Sequence, residues 1–113
     1  MSLDDVFLFD MLAAAKKIVR ITKGYSLDDF LNDDVVQDSA IRQITVIAEA
    51  AGNLSENFKE SNRDIPWHEI KGMRNRLVHE YKHIDLNEVW QTISENIPGL
   101  ISQIEPRISE QPD

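Results

Sequence analysis

One run of apolar residues constrains this chain more than any other feature. Val36, Ala40, Ile44, Ile47, Ala51, Leu54 and Phe58 follow one another at steps of 4, 4, 3, 4, 3 and 4. That is the spacing at which side chains stack along one side of an α-helix. The opposite side reads Arg42, Thr45, Glu49, Asn53, Glu56 and Glu60. The stripe predicts a continuous helix from about residue 34 to about residue 60, roughly 40 Å long at 1.5 Å per residue, and makes it the spine of the fold. A second stripe, Leu86, Trp90, Ile93, Ile97, Leu100/Ile101, Ile104 and Ile108, predicts a last helix that Asp85 can cap, with Glu88 three residues on. It keeps phase across Pro98–Gly99, so that pair predicts a kink, not an end.

Two further main helices and one brief one complete the pattern. Leu8, Met11, Leu12, Ala15, Ile18 and Val19 recur at helical spacing, and Gly24 then supplies a stop. Ser26 and Asp29 form a capping-box pattern that opens a brief helix running into Asp33–Asp34. "SNRDIPWHEI" breaks the chain after the spine, and Pro66 suits the first turn of a new helix, whose apolar side is Ile70, Met73, Leu77 and Val78. "KHI" reads as a short loop. No strand-like alternation, internal repeat or low-complexity segment occurs. The fold class expected is all-α, an up-and-down bundle of four main helices plus one short helix. A chain of 113 residues makes one domain, placed at 1–109, with 110–113 as a disordered tail.

Composition removes several function classes. Hydrophobic residues at 42% and charged residues at 28% are those of a globular protein, not a disordered one. The chain has no cysteine, which excludes disulfides, thiolate zinc sites and a Cys nucleophile and suits a reducing cytoplasm. "MSLDDVFLFD" lacks the basic start of a signal peptide, and no apolar run approaches the roughly 20 residues of a membrane helix. A net charge of −8 argues against non-specific nucleic-acid binding.

Against that acidity, "GMRNRLVHEYKH" stands out. All three histidines, His68, His79 and His83, fall between positions 63 and 83, together with Arg63, Lys71, Arg74, Arg76 and Lys82. On an unbroken helix Arg74 and Tyr81 project within about 20° of each other, whereas His79 lies about 140° round from Arg74. Arg74 and His79 converge only where the helix ends near His79, or where a second subunit presents its own copy. The bare Arg-x4-His spacing carries little information, since Arg63 and His68 repeat it across Pro66.

The longer string "RNRLVHEY" resembles the Arg-x4-His-x-Tyr motif of HEPN-domain proteins, in particular the HepT-like ribonucleases paired with minimal nucleotidyltransferases. The resemblance extends through "TKGYSLDDFLND", "QDSAIRQITVIAEAAGNLSENF", "IPWHEIKGMRN" and "IDLNEVWQTISENIPGL", in that order. It implies a small helical bundle that dimerises with two motifs facing one cleft. It further implies a cytoplasmic toxin of a toxin–antitoxin pair, a metal-independent endoribonuclease without cofactor. Arg74 would be the phosphate clamp, His79 the general acid/base, and Tyr81 the residue to which the partner nucleotidyltransferase antitoxin transfers AMP. Asn75 fits the same string, and Glu49, on the polar face of the long helix, is a lesser supporting candidate. The residue types suit the chemistry: RNA carries its own 2′-hydroxyl nucleophile, an imidazole can move its proton, and a forked guanidinium can hold phosphate oxygens.

Each of these residues also has a plain structural role open to it. Arg74 can pair with Glu69 or Glu80, His79 can serve a helix end, and Tyr81 can sit at the edge of the core. Trp67 and Trp90 read as core or interface anchors, and Lys16, Arg20 and Lys23 as a solvated row. The alternative functional reading is a non-catalytic nucleotide- or RNA-binding subunit, or a scaffold, within a nucleotidyltransferase complex. The partners expected are that nucleotidyltransferase, RNA and a second copy of the chain, extending to a higher hetero-oligomer, with no membrane.

Overall fold

The computed structural model describes residues 2–80 and 83–109; the expected tail at 110–113 lies outside them. Helix α1 (Leu3–Ile21) opens on a capping box. Ser2 Oγ accepts from the Asp5 N–H at 3.2 Å, and the Asp5 carboxylate accepts from the Ser2 N–H at 3.0 Å. The helix ends where expected, and Gly24 takes φ +79°, a backbone state that a side chain would strain. Val19, expected on the apolar side, is exposed instead, and Ala14 is buried there.

Ser26 opens α2 (Leu27–Leu31) with the expected box to Asp29, at 3.1 and 2.9 Å. Asp33 then caps α3 (Asp34–Asn53) by accepting from the Val36 N–H at 3.1 Å.

The spine is shorter than its stripe. Instead of one helix to residue 60, α3 stops at Asn53, Leu54 turns extended, and α4 (Glu56–Ser61) starts afresh. The cause is Ser55. Its hydroxyl accepts from the Phe58 N–H at 3.1 Å, while its own N–H and O–H donate to the Asp4 carboxylate at 2.8 and 2.7 Å. A new N-cap is thereby tied to the start of α1, and Gly52 and Asn53 give little resistance to the break.

After Pro66 come two short helices, α5 (Trp67–Lys71) and α6 (Met73–Leu77), separated at Gly72. The chain then departs from the expected loop. β1 (Val78–Glu80) pairs antiparallel with β2 (His83–Ile84), Val78 opposite Ile84 and Glu80 opposite His83, with an irregularity between. The Leu77 carbonyl accepts from the Asp85 N–H at 2.9 Å and closes the base of this hairpin. Asp85 caps α7 (Leu86–Gln91), accepting from the Glu88 N–H at 3.1 Å.

From α7 the chain passes through a π-helical segment, Thr92–Asn96, straight into α8 (Ile97–Ser109). Pro98 has no N–H for the Ser94 carbonyl, and the widened turn just before it absorbs that misfit without ending the helix. The expected continuity across Pro98–Gly99 therefore holds.

The architecture is an all-α bundle with one minimal hairpin. Leu8, Met11 and Ile18 of α1 meet Ile44 and Ile47 of α3 and Ile97 and Ile104 of α8, all 0% exposed. Phe30 of α2 and Leu77 of α6 close the core, and Trp90 packs against Phe30 with its ring tilted by 37°, at 5.4 Å between ring centroids. Trp67 is likewise an anchor: it packs edge-on against Phe58, and its indole N–H donates to the Asn62 carbonyl at 3.0 Å. Because α3 packs against α1 on one side and against α5 and α6 on another, it carries α6 and the hairpin on a fixed support. Among the described residues no helix is long and apolar enough to cross a membrane.

Candidate functional site

Burial of Met73 and Leu77, at 3% and 1% exposure, fixes how α6 is turned on the core. Four residues apart on a helix of one and a half turns, they anchor one side of it. Arg74, Asn75 and Arg76 are consequently exposed. The Arg74 guanidinium has no hydrogen-bond or ion-pair partner among the described residues, so the pairing with Glu69 that would make it structural does not form.

The backbone changes from helix to strand between Leu77 and Val78, and His79 is the middle residue of β1. The helical geometry that would hold Arg74 and His79 about 140° apart therefore does not extend to His79. This is the helix end that the sequence left as one of two routes to convergence. The His79 side chain and the whole of Tyr81 lie outside the described residues.

Glu49 lies elsewhere. It lines a shallow groove between α1 and α3 with Phe7, Asp10, Val46, Ala50 and Asn53, and no described residue of α6 or the hairpin reaches that groove. Asn75 stays next to Arg74 on the exposed side of α6. The second arginine–histidine pair, Arg63 and His68, is exposed but divided by Pro66, with Arg63 in the connection after α4 and His68 in α5. Of the basic row on α1, Lys16 is bound to Glu105 of α8 at 2.5 Å, while Arg20 and Lys23 have no partner among the described residues.

Two features escaped the sequence reading. Gln43 is 8% exposed on α3 and has no side-chain hydrogen bond among the described residues, whereas the other buried polar residues, Thr22 and Thr92, donate to carbonyls four residues back at 2.7 and 3.0 Å. A mid-helix Gln within "AIRQITVIA" is a polar break in an apolar run, and that signal was available. The second is Arg76, two residues past Arg74 and about 160° round α6 from it. It lines a cleft of about 390 Å³ against the π-helical segment and α8. Only the tertiary packing of α8 creates that cleft.

Among the described residues no three His, Asp or Glu side chains stand together to hold a metal ion. What the exposed surface of α6 offers is a forked, permanently charged guanidinium, a group whose geometry suits phosphate oxygens, on the short helix that precedes a helix-to-strand break.

Comparison with known proteins bears on this surface. The pattern of the family described as "Ribonuclease HepT-like" matches residues 11–106. A protein of Caldanaerobacter subterraneus named "Putative RNase" is 33% identical over 93% of this chain and 94% of its own length. A "Putative RNase" of Methanocaldococcus jannaschii is 33% identical over 88% of this chain and 91% of its own. A "Probable ribonuclease HepT" of Thermococcus cleftensis is 35% identical over 88% and 90%, respectively. No solved structure matches the chain.

Proposed function

The chain belongs to the HepT-like ribonuclease family, and on that premise we propose that it is a metal-independent endoribonuclease acting through Arg74 and His79. The observation that carries the proposal is the exposed Arg74, without a partner among the described residues, on a helix that stops at Leu77, one strand residue short of His79. The guanidinium holds non-bridging phosphate oxygens of RNA and stabilises the charge that builds on the phosphorane. His79 takes the proton from the 2′-hydroxyl, the O2′–P bond forms, and the P–O5′ bond breaks. The leaving oxygen takes a proton from the His79 imidazolium, giving a 2′,3′-cyclic phosphate and a 5′-hydroxyl and returning His79 to its neutral form. Asn75 supports the phosphate from beside Arg74.

The protein works as the cytoplasmic toxin of a toxin–antitoxin pair and as a homodimer. Exposed apolar residues on α1, Leu3, Val6 and Phe9, are suited to such an interface. Its partner is a minimal nucleotidyltransferase. In the silencing step the Tyr81 phenol oxygen attacks the α-phosphorus of ATP, forming a Tyr–O–P bond and releasing pyrophosphate. The phosphodiester so placed takes Arg74 away from RNA. A second reading, a non-catalytic binding subunit of the same complex, is favoured by one observation, the net charge of −8.

Two measurements test the proposal. Cleavage of RNA by the purified protein should survive excess EDTA and leave 2′,3′-cyclic phosphate ends; loss on chelation with recovery on adding magnesium would contradict it. Intact mass of protein co-expressed with the nucleotidyltransferase should rise by one or more AMP units, and Tyr81→Phe should stay active while escaping the modification. Neutralised toxicity without added mass would mean silencing by occlusion.

A further inference from the structure

The cleft beside Arg76 joins an apolar floor to a polar rim. Its floor is apolar, made by Ile70, Met73 and Leu100, each 3% or 4% exposed. Its rim is polar: Glu69 of α5, Glu95 and Asn96 of the π-helical segment, and Arg76 of α6. The side chains of Glu69, Asn96 and Arg76 have no hydrogen-bond partner among the described residues; Glu95 accepts only from Gln91 Nε2, at 3.2 Å. An opening of about 390 Å³ is within the range of small-ligand sites, which combine an apolar floor with a few convergent polar groups. Glu95 and Asn96 belong to the widened turn, a distortion found often at functional positions. Gly99 lines the same cleft, and a Cβ added there would meet no heavy atom within 4 Å.

We propose that this cleft is a base-binding subsite for guanine in the RNA strand whose phosphate Arg74 holds. The proposal rests on the ribonuclease reading and adds to it a preference for one base. A flat heteroaromatic ring suits the apolar floor, and unstacked bases of single-stranded RNA are read by their edges in such pockets. The rim selects among the four. Ionised carboxylates only accept hydrogen bonds, so they favour an edge with adjacent donors. Guanine presents N1–H and N2–H₂ side by side. Adenine and cytosine each place an acceptor next to their amino group, and uracil flanks its one N–H with two carbonyls; carboxylates repel these acceptors. The guanine O6 faces the Asn96 amide, and Arg76 takes a phosphate of the same strand. Arg74 and Arg76 stand on opposite sides of α6, so the strand crosses one helix, roughly 10 Å wide, between the two sites.

The test separates binding from turnover by using 2′-O-methylated hexauridylate, which has no free 2′-hydroxyl, carrying one guanosine, inosine or adenosine. Fluorescence anisotropy with the full chain should show the guanosine oligomer binding roughly tenfold tighter than the adenosine one, with inosine between. Gly99→Phe should fill the cleft and abolish that preference, whereas Gly99→Ala should retain it. Glu69→Gln combined with Glu95→Gln should abolish it without adding bulk. Equal affinity for the three oligomers, no measurable binding of the guanosine oligomer, or a preference surviving both the Phe and the double Gln variant would overturn the subsite. Cleavage of unmodified RNA by the same preparation reads the ribonuclease separately. Cleavage without guanosine preference sinks the subsite alone, and guanosine preference without cleavage sinks the ribonuclease reading alone.

Discussion

At Tyr25 and Asp33 a single hydrogen bond couples the loop after α1 to the cap of α3. The phenol donates to the Asp33 carboxylate at 2.7 Å. That bond, with the Val36 N–H, holds the Asp33 carboxyl below its ordinary range, and the same bond to Asp33 pushes the Tyr25 phenol up. A depressed carboxylate contributes stability above the unfolded titration near about pH 4, and the contribution is lost as pH falls through the folded value. A raised phenol contributes below the unfolded titration near about pH 10, and loses it as pH rises through the folded value. Tyr25→Phe should therefore lower the melting temperature most around neutral pH, with the gap to wild type closing in acid; a gap independent of pH would mean that packing alone is lost. The Ser26–Asp29 box was legible because both halves lie within one turn. The role of Ser55 was not, because its partner Asp4 is 51 residues away.

Elements show the same division on a larger scale. An apolar stripe reports which side of the chain faces the core, and it stays in phase across Leu54, which is 4% exposed although the helix breaks there. The break between α3 and α4 was therefore invisible in the pattern, although it is plain in the cap. Ser55→Ala should cost about 1 kcal/mol, the usual worth of an N-cap, read as a shift in the urea midpoint with unchanged slope. A neutral result would show that Asp4 and the backbone hold the break unaided. The continuity of the last helix was legible for the converse reason, since a widened turn before Pro98 keeps both ends of the stripe on the core. The hairpin at Val78–Ile84 had no such signal: three and two residues of strand are too few to show alternation.

Over the whole molecule, the bundle and its family were legible from long, ordered strings, while the cleft beside Arg76 was not, because α5, α6 and α8 build it together. Catalysis is proposed for the other side of α6. There Arg74 and His79 share one proposed job, whereas Arg63 and His68, equally spaced in sequence, have none. The most direct measurement is RNA cleavage by purified wild type, Arg74→Ala, His79→Ala, Arg63→Ala and His68→Ala, with helical content followed alongside. Loss of a charged transition-state contact or of the proton-transfer group costs on the order of a hundredfold or more. That loss is expected for Arg74→Ala and His79→Ala at unchanged helical content, with near wild-type rates for the other two. Equal damage from both pairs, or full activity without Arg74 or His79, would contradict that assignment.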